Sequence, residues 1–165
     1  MQARIDYYKL SPGGYKAVLG LEHYLASTSL EKKLLHLIKF RVSQINGCAY
    51  CLDMHWKDLQ AEGEKEQRMY SLDAWRETPY YSDRERAALA WAEAVTNITD
   101  GHVPDEVYEQ TRQHFSEQEL ADLTLAVAAI NVWNRLSIAF RIVPGSYQPV
   151  QKLREERREQ VSRGA

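Results

Sequence analysis

Two cysteines, Cys48 and Cys51, stand three positions apart, and His55 follows the second by four. On a helix, residues three and four apart share a face, so this spacing turns both thiols and the imidazole the same way. His55 is then about one turn from Cys51 and about two from Cys48, which makes Cys51 the thiol whose proton the ring could accept. An unperturbed thiol, with a pKa near 8.5, is only about 3% thiolate at pH 7, and thiolate is the reactive species. The amides of a helix's first turn and a neighbouring imidazole both lower that pKa. A second thiol in reach converts a sulfenic acid into a disulfide before oxidation goes further. The chemistry open to this run is thiol redox, with one sulfur attacking and the other resolving.

Other uses of the same residues compete. Haem attachment needs histidine directly after the second cysteine, and Leu52 stands there, which excludes it. Structural zinc would need a fourth ligand, which His36 or His23 could supply, but such sites bring two ligand pairs and this chain has a single Cys-x-x-Cys. Two small buried cysteines beside a hydrogen-bonded core histidine is the plain structural alternative. A thioredoxin-type site expects a βαβ pattern around the pair, and none is present.

The elements that must hold these residues are helices. Apolar positions recur at helical spacing along most of the chain, and sustained alternation is absent, so the fold class is all-α. A first helix is expected from Pro12 to about Ala26, with Tyr15, Val18, Leu19 and Leu25 on one stripe. Leu34, Leu37, Ile38, Phe40, Val42 and Ile45 mark a strongly buried second helix over 30–45, which Asn46-Gly47 ends through a turn or left-handed conformation. Cys48 then opens a third helix reaching about Ala61, with the cysteines in its first turn. Further helices are expected near 65–75, 82–97, 104–114 and 117–141. Ser82 with Glu85 and Ser116 with Glu119 fit capping boxes, and Pro104 suits a first turn. The last of these helices carries Leu120, Leu123, Thr124, Val127, Ile130, Asn134 and Ile138 on one face. About six to seven helices result.

With 165 residues the chain suits one domain, expected over 1–146, followed by a charged tail over 147–165 that reads as a solvated helix or frayed end. A net charge of -2 gives no basic stripe for nucleic acid. The N-terminus lacks the apolar core of a secretory signal, and no stretch approaches about 18 apolar residues, so no membrane partner and a cytoplasmic location are expected. Two cysteines in a reducing compartment point to chemistry rather than a structural staple.

The run from Arg41 through Asn46-Gly47-Cys48-Ala49-Tyr50-Cys51-Leu52-Asp53-Met54 to His55 resembles the signature of alkylhydroperoxidase D-like members of the carboxymuconolactone decarboxylase family. The likeness extends more loosely through Gln67–Trp75, Glu85–Trp91 and Ile130–Arg135, covering roughly 12–145. It implies an all-helical fold assembled as a homo-oligomer, trimer or hexamer. It also implies a peroxidase cycle in which Cys51 attacks a small hydroperoxide, Cys48 resolves, and an external dithiol or thiol-redox protein restores both. No metal, haem or other cofactor is implied. The histidine matching His55 belongs to a proton relay with a glutamate twelve positions before the first cysteine, a place this chain gives to His36. A carboxylate there would hold a protonated His55, whereas a histidine can hydrogen-bond or shuttle; a satisfied histidine within an apolar helix is the plainer reading of His36. The family's other named activity, muconolactone decarboxylation, does not use the cysteine pair. Tyr50 reads as packing, and Asn131, Trp133, Asn134 and Arg135 as buried hydrogen bonding or subunit contacts rather than a substrate pocket. The leading expectation is a thiol peroxidase; the alternative is a redox-responsive oligomeric binding or sensor protein.

Overall fold

The computed structural model describes residues 2–149; the charged run from Lys152 onward, read above as a solvated helix or frayed end, lies outside them. The elements are α1 (Tyr7–Leu10), α2 (Pro12–Leu25), α3 (Lys32–Asn46), α4 (Ala49–Ala61), α5 (Glu66–Tyr70), a 3-10 turn (Leu72–Glu77), α6 (Asp83–Thr96), α7 (Asp105–Arg112) and α8 (Glu117–Phe140), with no strand among the described residues. The all-α expectation holds, with slightly more helices than foreseen. The additions have local causes. Helix α1 is a single turn capped by the Asp6 side chain, too short for periodicity to register. The span 65–75 divides because the Ser71 hydroxyl donates back to the Gln67 carbonyl and Ala74 takes non-helical angles (φ -106°, ψ 31°).

Helix α3 is the centre of the molecule. One side, with Ile38 and Val42, packs into a core with Ala88 and Ala92 of α6 and Leu123, Ala126, Val127 and Ile130 of α8. The other side, with Leu37 and Phe40, meets Leu59, Met69, Leu72 and Trp75. Burial on both sides explains its nearly continuous apolar run, each large side chain contributing roughly 1.5–3 kcal/mol. Both capping boxes form, at Ser82/Glu85 and Ser116/Glu119. Helix α8 corrects the expectation of no long apolar stretch: its 24 residues include an 18-residue window of mean hydropathy 1.4, long and apolar enough to cross a membrane. Here its most buried residues are the core just described.

Two features position the thiols. Gly47, left-handed at φ 67° and ψ 34°, closes α3 and reverses the chain, and Cys48 becomes the N-cap of α4. Helix α2 buries Leu25, while Tyr15 and Leu19 of the same stripe are only half-buried, because they line a cavity instead of the core.

Candidate active site

As N-cap, Cys48 does with sulfur what serine does with oxygen: its Sγ accepts from the Cys51 backbone N–H at 3.4 Å. Both thiols are free, and each is only 1% exposed. The Cys51 thiol points to the Ser137 hydroxyl of α8 at 3.8 Å. The hydrogen bond from the Cys51 thiol, opposed by burial and aided by the Cys51 amide, Ser137 and Asn134, lowers Cys48 to about 7. Cys51, which gives that hydrogen bond and is buried beside the resulting charge, is pushed far up. The pair therefore holds one proton near neutral pH, with the charge on Cys48 and the proton on Cys51. The first-turn amides expected to lower a thiol's pKa act on Cys48, because only the N-cap side chain bends back to meet them.

Behind the pair runs a polar seam between α3 and α8. Asn46 Nδ2 donates to Asn134 Oδ1 at 2.8 Å and to Asn131 Oδ1 at 3.0 Å, Asn134 Nδ2 to Ser43 Oγ at 3.1 Å, and Ser43 Oγ to the Lys39 carbonyl at 2.8 Å. Asn131 and Asn134 thus serve buried hydrogen bonding, as read from the sequence.

In front of the pair lies a cavity of about 430 Å³, on which Cys51, His55 and His36 all open. Its apolar wall comes from Tyr7, Tyr8, Tyr15, Leu19, Tyr50 and Trp133. The close packing of α3 on α4 brings His36 Nδ1 to 3.3 Å from His55 Nδ1. His55 is 3% exposed, and its Nε2 has no hydrogen-bond partner. Burial lowers the pKa of both rings, at His36 against the pull of Asp58 and Glu62, so both are neutral at pH 7. No hydrogen bond joins Cys51 to His55; the thiol lies against Cys48 and Ser137, and the ring turns to His36.

Asp58, Glu62 and Lys39 went unread in the sequence. Asp58 Oδ2 lies 3.7 Å from His36 Nδ1 and 3.9 Å from His55 Nδ1, while its Oδ1 accepts from the Tyr147 hydroxyl at 2.7 Å. Glu62 Oε1 stands 3.5 Å from His36 Nε2. Lys39, buried in α3, is paired with Glu22 of α2, which also accepts from Trp133 Nε1 at 3.0 Å. Asp58 and Glu62 had a signal: positions 51, 55 and 58 form one stripe of α4, and Glu62 follows at its C-cap. Tyr147 was assigned to the tail, and Trp133 to hydrogen bonding or subunit contact, yet both line the cavity. Tyr50 packs against the core as read, and burial pushes its hydroxyl up to about 12. His23 is exposed on α2, apart from the cluster, and Glu31 pairs with Arg84 at 3.1 Å on the surface. Among the described residues, the donor atoms of His36, His55 and Asp58 converge closely enough to hold a metal ion.

The sequence pattern of the carboxymuconolactone decarboxylase family matches residues 12–94. The chain is 46% identical over 139 residues to the uncharacterized protein YdfG of Bacillus subtilis (strain 168), covering 84% of this chain and 95% of that one. Among solved structures, ATU0492 of Agrobacterium tumefaciens, a protein of unknown function described as a candidate antioxidant defence protein AhpD, is similar with a TM-score of 0.83 and 46% identity over 90% of this chain and 99% of that one. An uncharacterized peroxidase-related protein of Ralstonia eutropha JMP134 with an alkylhydroperoxidase AhpD core shares the fold, with a TM-score of 0.75 and 21% identity over 84% of this chain and 74% of that one.

Proposed function

The chain belongs to the carboxymuconolactone decarboxylase family and has its AhpD-like fold, and from that premise we propose that it is a dithiol peroxidase reducing organic hydroperoxides at Cys51. The observation that carries this reading is the division of the pair: Cys51 opens on the cavity beside His55, while Cys48 is held as the N-cap. The unpartnered Nε2 of neutral His55 takes the Cys51 proton as the sulfur attacks the outer peroxide oxygen. The O–O bond breaks, Cys51 becomes a sulfenic acid, and the same proton passes to the departing alkoxide, giving an alcohol. His36 and Asp58 stabilise the imidazolium in between. Cys48, already ionised, then attacks the Cys51 sulfur; the S–O bond breaks, a proton from solvent completes a water molecule, and the disulfide forms.

The same asymmetry suits re-reduction. An incoming external thiolate reaches Cys51 from the cavity, and Cys48, the more acidic thiol, is the better leaving group. The aromatic wall favours an apolar hydroperoxide over hydrogen peroxide. Assembly into a trimer or hexamer belongs to the same proposal, with Leu125, Val132 and Ile138 exposed on α8 as apolar surface for it.

Consumption of cumene hydroperoxide with excess dithiol tests the reading. The native chain should turn over many equivalents, and Cys51→Ser and Cys48→Ser should fall to background. One stoichiometric oxidation without turnover would replace the enzyme with a redox sensor.

A further inference from the structure

His36, His55 and Asp58 offer three donor atoms to a single point. The two Nδ1 atoms are 3.3 Å apart, and Asp58 Oδ2 is 3.7 Å from one and 3.9 Å from the other. The circle through these three atoms has a radius of about 2.1 Å, which is the length of a bond from zinc to nitrogen or oxygen. As a hydrogen-bonded group the triangle is poorly made: two facing ring nitrogens share at most one proton, and both carboxylate distances exceed hydrogen-bond range.

We propose that His36 Nδ1, His55 Nδ1 and Asp58 Oδ2 form a binding site for a divalent first-row transition ion such as Zn²⁺, with its remaining position open to the cavity. Two imidazoles and one carboxylate are the donor set of open, ligand-accepting metal sites, and all three residues line the cavity. The surroundings orient two of the three donors, Asp58 and His36, as metal sites require. Tyr147 holds Asp58 Oδ1 at 2.7 Å and leaves Oδ2 turned to the rings. Glu62 stands 3.5 Å from His36 Nε2, placed to receive its N–H once Nδ1 binds metal. His55 and Asp58 lie one turn apart on α4, and His36 is brought to them by α3, so little must move. Two cations face the cluster, Lys39 paired with Glu22 and Lys32 paired with Glu62.

The site shares His36, His55 and Asp58 with the redox reading but contains no thiol, so it is tested without peroxide. An ion there would occupy both Nδ1 atoms, so metal binding and proton passage between the rings exclude each other.

The experiment is titration of the chelator-stripped full chain with Zn²⁺ by calorimetry and with Co²⁺ by visible absorption. The expected result is one ion per chain, with Co²⁺ bands lacking sulfur-to-metal charge transfer. Affinity should fall at least about tenfold in both His36→Gln and Asp58→Asn, with helicity by circular dichroism verifying that each variant folds. The Cys48→Ser/Cys51→Ser double variant should bind as the native chain does. Absence of saturable binding, or binding that survives His36→Gln and Asp58→Asn, would overturn the site. Loss of binding in the double-cysteine variant would also overturn it, placing the ion on the thiols.

Discussion

The two sides of the cysteine pair are built differently. Behind Cys48, the Ser43, Asn46 and Asn134 side chains hydrogen-bond to one another across α3 and α8, and the N-cap geometry stabilises a thiolate. In front of Cys51, the cavity presents a neutral His55 with an unpartnered nitrogen, a second neutral histidine, and two carboxylates. Acidity and access are separated: the more acidic sulfur is turned from the aromatic cavity, and the sulfur that faces it holds the proton of the pair. Two thiols three residues apart acquire different surroundings from where the helix starts, not from their own chemistry.

The largest expected effect removes the front side's base. His55→Gln should lower hydroperoxide turnover by roughly a hundredfold, read in steady-state kinetics, while leaving Cys48 acidic. A back-side change should do the reverse. Asn134→Ala takes one buried hydrogen bond from each of Asn46 and Ser43 and should destabilise the fold by about 1–3 kcal/mol in denaturant unfolding.

Titration sharpens the contrast. Thiolate ultraviolet absorbance of the reduced chain should rise with a midpoint near 7, and Cys48→Ser should abolish that step. Folding lowers this thiol, so its ionised form adds stability as pH rises through about 7 towards the ordinary thiol range, and that contribution is lost as pH falls through about 7. A midpoint near 7 that survives Cys48→Ser would reverse the two sides.

Smaller effects belong to the front wall. His36→Glu should not accelerate turnover, because Asp58 and Glu62 already supply carboxylates beside the relay and a third repels them. Trp133→Ala should raise the KM for cumene hydroperoxide several-fold and leave that for hydrogen peroxide unchanged; equal changes for both would deny the aromatic wall a part in substrate choice.

The helices were legible because periodicity and caps are local: Gly47, Ser82 and Ser116 each announce an element end that the fold uses. The chemistry-bearing trio Cys48, Cys51 and His55 was legible for the same reason, lying on one short stretch of α4. What spacing could not supply was the packing of α3 on α4, which alone sets His36 against His55, and the chain's return after α8, which carries Tyr147 to Asp58. The acidity of the thiols was legible only in part. A helix start was visible, but the residue that caps it depends on backbone angles (φ -86°, ψ 96° at Cys48), which give the N-cap position to Cys48 and leave Cys51 three residues inside the helix.

The most direct measurement is a single-turnover reaction of reduced Cys48→Ser and Cys51→Ser with one equivalent of cumene hydroperoxide, trapping sulfenic acid with dimedone and locating it by peptide mass spectrometry. The account predicts label on Cys51 in Cys48→Ser and a much slower reaction in Cys51→Ser, although that variant keeps the thiol that is the more acidic in the native pair. Rapid labelling of Cys48 in Cys51→Ser, with Cys48→Ser inert, would contradict it and assign the attack to the N-cap sulfur.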